Sequence, residues 1–309
     1  CYDGSTSLTD ATLQLAASGA LPSGTSFTIN RGTLRLNGND ASVVAGALNN
    51  GVIENGSATT NATFTMDNAS NNTFFGRIQD GGAAALAFNK DGAGNFKLIG
   101  AQTFSGNTTI TDGILEIGSR NDGGGTLGSG SYGGDIAIAA GSELWTWNNT
   151  QEFSGVISGD GDVWTWSGSD LTLSGENTYT GETRIWSDTT SGSSLTVSSL
   201  NSVTVGSIET GSGTVATPIA SSSLGAPTTE ADGTIYLSRT GKRASCTLRY
   251  VGLGETTDRV INVGFDSSSK QTIDADGSGL LEFTSPFTIS AGSGTASGGI
   301  ILRGTGDGR

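Results

Sequence analysis

The chain has 309 residues, of which 50 are glycine, 4 are proline and 14% are charged. Its formal net charge is −14, which argues against nucleic acid or an anionic membrane as a partner, because both are bound through positive patches. Because the chain has no histidine, Ser-His-Asp and Cys-His nucleophilic sites and imidazole-based metal sites are excluded.

Short alternating segments, separated by Gly, Ser, Asn or Asp, recur along the whole chain. Each has two apolar residues two positions apart, the pattern of a half-buried strand whose apolar pair points inward. They predict strands at 11–15, 27–29, 32–36, 62–66, 113–117, 136–138, 195–197, 203–205, 233–237, 247–251, 260–263, 280–284 and 300–302. No stretch predicts a stable helix, and none approaches the roughly 18 apolar residues of a membrane span.

One pair of segments repeats without a gap. Residues 98–110, LIGAQTFSGNTTI, match residues 173–185, LSGENTYTGETRI. Repeats of short strands and turns predict a solenoid, in which each coil buries its apolar edge against its neighbours. We therefore expect an all-β chain that forms a single continuous β-solenoid over residues 1–309, with a looser Ser/Thr/Gly-rich section at 188–232.

Neither end of the chain reads as a polar cap, which solenoids normally need. An uncapped coil presents unpaired backbone N–H and C=O groups that template another strand. We therefore expect the chain to continue into a larger protein or to stack end to end on another copy.

The sharpest local feature is a set of five tryptophans at recurring intervals, Trp145, Trp147, Trp164, Trp166 and Trp186. Trp145 and Trp147 are each followed by another tryptophan 19 positions later, so coils of that length would stack the rings about 4.8 Å apart. Alternation places Leu144, Val163 and Ile185 inward and the rings outward, as a large apolar patch that soluble monomers rarely leave exposed.

Three interpretations of the tryptophans remain open. The rings stack on each other beneath a loop and stabilise the coils, or they form a protein–protein face, since Trp is enriched at the centre of interfaces. In the third interpretation they form a platform for glycans.

The cysteines are Cys1 and Cys246. Opposite ends of a solenoid cannot meet, so we expect no disulfide within the chain. A disulfide between molecules and a lipid anchor on Cys1 remain open, as do two free thiols.

Four aspartates are candidates for calcium binding: Asp122, Asp135, Asp160 and Asp162. The first two lie in glycine-rich turns, but the full nonapeptide calcium pattern is absent. The other two form an Asp-Gly-Asp sequence, which is more typical of a turn than of a pair of hydrolytic carboxylates. We expect no catalytic residue and no cofactor, with calcium as the open alternative.

Three motifs carry a family resemblance: Leu171-Thr-Leu-Ser-Gly-Glu-Asn-Thr-Tyr-Thr-Gly181, Gly113-Ile-Leu-Glu-Ile-Gly118 and Glu255-Thr-Thr-Asp-Arg-Val-Ile-Asn262. They resemble the autotransporter-associated β-strand repeat family, and the resemblance extends from about residue 8 to about residue 304. It implies a right-handed parallel β-helix in large secreted bacterial proteins, used as stalk, passenger or adhesin material and not as an enzyme. Where the family usually reads Leu-Thr-Lys-Thr-Gly, this chain has Val163-Trp-Thr-Trp-Ser167.

The sequence therefore predicts a structural protein, extracellular or on the bacterial cell surface, with roughly 12–15 coils at the strand spacing. We expect a rigid β-solenoid stalk or a filament subunit that self-assembles end to end. The alternative is a surface adhesin domain that binds glycans through the tryptophans. A third hypothesis is a β-helix enzyme that degrades polysaccharides.

Overall fold

The computed structural model describes residues 4–203, 209–210, 213–214, 219–238, 244–265, 269–291 and 298–305. The chain divides into two compact units, Cys1–Trp145 and Thr146–Arg309. Each unit is built from short parallel strands that pair with strands about one coil away in sequence.

The strands of the first unit are β1 (Ser5–Thr9), β2 (Thr12–Gln14), β3 (Ser26–Asn30), β4 (Thr33–Arg35), β5 (Ala41–Leu48), β6 (Val52–Glu54), β7 (Ala62–Asp67), β8 (Asn72–Phe74), β9 (Arg77–Gln79), β10 (Leu86–Asp91), β11 (Asn95–Leu98), β12 (Gly100–Gln102), β13 (Thr108–Ile110), β14 (Ile114–Ile117), β15 (Gly125–Leu127), β16 (Ser131–Tyr132), β17 (Ile136–Ile138) and most of β18 (Glu143–Thr146). The longest run of parallel pairs is β1, β3, β5, β7, β10, β13 and β17. A second face carries β2, β4, β6 and β9, and a third carries β8, β11 and β14.

The strands of the second unit are β19 (Thr150–Phe153), β20 (Ile157–Ser158), β21 (Asp162–Thr165), β22 (Asp170–Leu173), β23 (Thr183–Ile185), β24 (Ser193–Val197), β25 (Glu209–Thr210), β26 (Gly213–Thr214), β27 (Ile235–Leu237), β28 (Cys246–Tyr250), β29 (Glu255–Thr257), β30 (Ile261–Phe265), β31 (Lys270–Ala275), β32 (Leu281–Phe283), β33 (Thr288–Ala291) and β34 (Gly299–Arg303). One face pairs β19, β22, β24, β28, β31 and β34. Another pairs β21, β23, β27, β30 and β33.

The predicted all-β parallel solenoid is confirmed. In each unit, the longest series of paired strands has one strand in each coil. Counted in this way over both units, the number of coils in the described part of the chain agrees with the predicted 12–15. The predicted strand at 203–205 falls mostly outside the described residues. The α-helix that the structure describes is the single turn Glu230–Gly233, and no helix among the described residues is long and apolar enough to cross a bilayer.

In-register pairing stacks like side chains inside the first unit. Phe64 of β7 lies opposite Phe88 of β10, and their ring centroids are 6.4 Å apart. Phe104 lies 6.1 Å from Phe88 and 5.5 Å from the ring of Tyr132. All four rings are buried, so an aromatic column at ring-contact spacing fills the interior across successive coils.

A long insertion separates two paired strands of the second unit. β24 pairs with β28, although 53 positions separate Ser193 from Cys246. Within the intervening chain, β27 pairs with β23 on the neighbouring face.

The buried side chain of Arg259 holds this insertion in place. Its guanidinium donates to the carbonyl of Gly233 and to those of Leu200 and Leu224 at 3.0 and 3.3 Å. Burial lowers the pKa of Arg259 to about 10. Glu255 accepts a hydrogen bond from the Leu200 N–H, so the Glu255-Thr-Thr-Asp-Arg259 motif anchors the insertion to its coil.

Lys90 has a similar role in the first unit. It is fully buried at the end of β10, and its Nζ donates to the carbonyls of Asp91 at 3.1 Å, Gly92 at 2.5 Å and Asp112 at 2.8 Å. Burial lowers the pKa of Lys90 to about 8. Because Asp112 lies in the following coil, one ammonium group closes a turn and ties two coils together.

We expect Lys90→Met to lower the free energy of unfolding by about 3 kcal/mol, because three partly buried carbonyls lose a charged donor at once. Lys97→Met is the matched control, since Lys97 lies on the next strand and makes two long, partly exposed contacts, an ion pair of 3.8 Å with Asp122 and a hydrogen bond of 3.4 Å to the Ser119 hydroxyl. It should cost less than about 1 kcal/mol. Urea denaturation followed by circular dichroism measures both, and equal losses would contradict the role of Lys90.

Candidate functional site

The tryptophan segments follow the predicted alternation. Leu144, Val163 and Ile185 are buried in the interior. Trp164 and Trp186 lie on the outer side of their coils and are partly exposed. The inward and outward faces of these segments are therefore as the sequence predicts.

Within the second unit, four tryptophans form one cluster. Trp147 and Trp166 stack with centroids 4.7 Å apart and planes at 5°, which confirms the predicted stacking at the coil spacing. Trp164 lies 5.8 Å from Trp166 and 4.9 Å from Trp186. Trp186 meets Trp166 edge-on, at 5.3 Å and 82°, so the stack does not continue face to face.

The predicted exposure is wrong for two of these rings. Trp147 and Trp166 are each only 5% exposed. Their parallel stacking covers a face of each ring, and the neighbouring indoles of Trp164 and Trp186 cover Trp166 further. Contact between the rings thus buries most of the apolar surface that simple alternation predicts to be exposed.

An arginine completes the outer side of the cluster. The strand register places Arg184 between Trp164 and Tyr236. Its guanidinium carbon lies 4.7 Å from the Trp164 ring and 4.6 Å from the rings of both Trp186 and Tyr236. Its Nε also donates to the carboxylate of Glu182 at 2.7 Å.

Each such cation–π contact contributes about 0.5–1 kcal/mol at a partly exposed site. The sequence pattern did not indicate Arg184 or Tyr236 as members of the cluster. The long insertion after β24 hides their proximity, because the residue that follows Arg184 in its column comes from β27 rather than from the next 20 residues.

Trp145 belongs to the first unit. It is half-buried, and its indole N–H donates to the carboxylate of Glu143.

We expect Trp166→Ala to lower the free energy of unfolding by about 3–5 kcal/mol, the usual cost of truncating a buried aromatic side chain. Trp164→Ala, at the partly exposed edge of the same cluster, should cost clearly less. Urea unfolding of the two variants measures the difference. A Trp166→Ala chain as stable as the wild type would show that the stack contributes nothing to the fold.

The structure shows the environment of one of the two cysteines. Cys1 lies outside the described residues. Cys246 is a free, fully buried thiol in β28, and its sulfur accepts a hydrogen bond from the Ser193 hydroxyl at 3.4 Å. Burial raises the pKa of Cys246 to about 11. An intermolecular disulfide at Cys246 is therefore wrong for the folded chain, because the sulfur is both inaccessible and protonated.

Two of the four calcium candidates lie in each unit. Asp122 accepts from the Ser119 hydroxyl at 2.9 Å and pairs with Lys97. Asp160 accepts from the Thr180 hydroxyl at 2.7 Å.

Asp135 is exposed, and its N–H donates to Asn107 at 3.1 Å. Asp162 accepts from the Glu182 N–H at 2.8 Å, and burial raises the pKa of its carboxyl group. Within the residues that the structure describes, no group of three or more acidic or sulfur side chains could hold a metal ion.

A polar groove of about 770 Å³ runs along β22, β24, β28 and β31 of the second unit. Its acids Asp274 and Asp276 pair with Arg303 at 3.1 Å and with Arg249 at 2.6 Å. These two carboxylates are thus each paired with a guanidinium, which differs from the two facing carboxylates that glycoside hydrolysis requires. Asp170, which also lines the groove, accepts a hydrogen bond from the Ser194 hydroxyl at 2.5 Å.

Comparison with known proteins identifies the repeat. A family model described as passenger-associated-transport-repeat matches residues 88–117 and 168–187. These two segments carry that repeat. It is 36% identical over 94 residues, 30% of its length, to the adhesin BmaC autotransporter of Brucella suis biovar 1 (strain 1330), and the match spans 3% of that protein. No solved structure shows a significant match.

The two repeats place equivalent side chains in equivalent contacts. In the first, the Gln102 side-chain oxygen accepts the Ile78 N–H at 2.7 Å. In the second, the Asn177 side-chain oxygen accepts the Ile157 N–H at 2.7 Å. Both amides are fully buried, and each binds backbone about one coil earlier. The repeat motif thus specifies how one coil is joined to the previous coil.

Proposed function

We propose that this chain is a β-helical segment of an adhesin-like passenger, extracellular or on the bacterial surface, whose role is structural and non-enzymatic. The passenger repeats and the similarity to an autotransporter adhesin support this proposal. In the fold, the same repeats supply the buried polar contacts between coils. A passenger of this kind extends by adding coils, each of which needs only its neighbours.

The observation that carries the finer proposal is an apolar interior left open at the last described coil. Leu195, Leu248, Ile273 and Leu302 form one in-register column. The first three are buried, whereas Leu302 is 68% exposed.

A second column behaves in the same way. Leu237 and Val263 are buried, and the next member, Ile289, is 62% exposed. A further layer of β-helix would bury both side chains. Either the next coils of a longer chain or a second copy would supply this layer, and we propose a second copy, so that chains associate end to end.

We expect the purified chain to form species larger than a monomer as its concentration rises. The double variant Leu302→Lys, Ile289→Lys should stay monomeric, because two charges would be buried at the junction. Sedimentation velocity over a range of concentrations measures the association.

Leu253→Lys is the control, since Leu253 is 88% exposed in a turn and lies outside both columns. A wild-type chain that remains monomeric at the highest concentration would overturn end-to-end assembly. The passenger role is tested separately, by antibody labelling of intact cells that produce the protein with its own secretion apparatus.

The alternative proposal is glycan binding through the tryptophan cluster, and the partly exposed Trp164, Trp186 and Tyr236 support it. Because Trp147 and Trp166 use ring faces to bind each other, only the outer rings could stack on a sugar. Neutral oligosaccharides should then change the tryptophan fluorescence of the wild-type chain but bind less tightly to Trp186→Ala. Unchanged binding in that variant would rule out this cluster as the glycan site.

A further inference from the structure

A groove of about 470 Å³ lies on the first unit, at the corner that precedes the β4, β6 and β9 strands. This volume is within the range of small-ligand sites. Among its lining residues are Arg31, Val52, Phe75, Arg77 and Ala101, so it combines apolar surface, one aromatic ring and two guanidinium groups.

The groove is lined by glycines at the corners of successive coils, Gly32, Gly51 and Gly76. A Cβ atom on Gly76 would lie 2.1 Å from the carbonyl oxygen of Gly51, so only glycine permits this close approach of two coils. The Gly51 carbonyl accepts the Arg77 N–H at 2.8 Å, and the Gly32 carbonyl accepts the Val52 N–H at 2.9 Å. The coils meet here without intervening side chains.

Arg77 has no side-chain hydrogen bond or ion pair within the described part of the chain. Its register neighbour one coil earlier is Val52, and Ala101 lines the groove beside it. Neither side chain can accept a hydrogen bond. By contrast, Arg31 at the same groove is held by Asp10 through two bonds of 2.7 and 2.6 Å. The Arg77 guanidinium thus has no carboxylate partner among the described residues, although the chain has 29 acidic residues and only 15 basic ones.

Phe75 stands at the corner immediately before this arginine. It is 45% exposed, whereas the preceding Phe74 is fully buried. The turn through Gly76 thus presents one ring to solvent two positions from an unpaired cation. An aromatic ring and a guanidinium that line one groove suit a ligand with an apolar face and an anionic group.

The backbone of the groove argues against an extended peptide as the ligand. Peptides that add to a sheet need free N–H and C=O groups at an edge, but here the carbonyls of Gly32 and Gly51 already bond to the next coil. A sugar ring needs no such edge. Its C–H face packs on an aromatic side chain, and a carboxylate on the ring pairs with arginine in a bidentate fashion.

We propose that this groove binds a carboxylated pyranose, a uronate or sialate unit of an acidic glycan, with Phe75 under the ring and Arg77 on the carboxylate. The inference gives the adhesin-like passenger a ligand class, and it rests on the proposed function only for its setting at the cell surface. Lysine at position 77 would keep the charge but lose the bidentate geometry.

The test uses the whole chain and two matched pairs of probes. Trigalacturonate is compared with its methyl ester, and sialyllactose with lactose, by saturation-transfer NMR titration. The wild type should bind at least one acidic probe more tightly than its neutral counterpart. Arg77→Ala should weaken acidic binding by about tenfold or more, the size of a lost charged hydrogen bond, and should not affect the neutral probes. Phe75→Ala should weaken binding of the acidic probe and of any neutral probe that binds.

Lys270→Ala is the charge control, because Lys270 is an exposed lysine of the second unit with no ion pair among the described residues. It should leave binding unchanged. Equal binding of acid and neutral probes, wild-type affinity in Arg77→Ala, or no binding of either acid would overturn the proposal. The preferred acid identifies the source as uronate or sialate. These variants leave the open columns at Leu302 and Ile289 intact, so failure here is distinct from failure of end-to-end assembly.

Discussion

Register between coils is the constraint on which the rest of this structure depends. A coil of a solenoid is held by the coils before and after it, so each inward position must match the one above and the one below. The interior of the second unit shows the result, since Leu195, Leu248 and Ile273 occupy one column. A shift of one residue would turn each of these side chains to the outside.

Buried polar groups fix that register more specifically than apolar packing does. Lys90, Gln102 and Asn177 each bond to backbone about one coil away, and Arg259 does the same for the inserted segment. A misaligned coil would leave these groups buried without partners, at a cost of about 1–3 kcal/mol each and more for the charged ones. The polar residues of the repeat thus select one alignment among many with similar apolar contact.

The tryptophan cluster and the groove at Phe75 and Arg77 differ in how far their side chains already contact other parts of the protein. In the tryptophan cluster, rings cover rings and Arg184 is enclosed by aromatic faces and by Glu182. The side chains of the cluster thus contact mainly each other. At the glycine-lined groove of the first unit, Phe75 is exposed and Arg77 has no acceptor in the described chain. A ligand adds more contact at the groove than at the cluster.

The sequence by itself determined the solenoid, the inward aliphatic positions and the pitch at which Trp147 stacks on Trp166, because alternation and repeat spacing are local properties of the chain. The parallel arrangement was implied by the family resemblance. Only the tertiary structure decided that those two rings are buried, that Cys246 is inaccessible, and that Arg184 meets Tyr236. These outcomes depend on which coil lies next in space, which a local pattern does not contain. The long insertion between β24 and β28 in particular conceals that Arg184 and Tyr236 are neighbours.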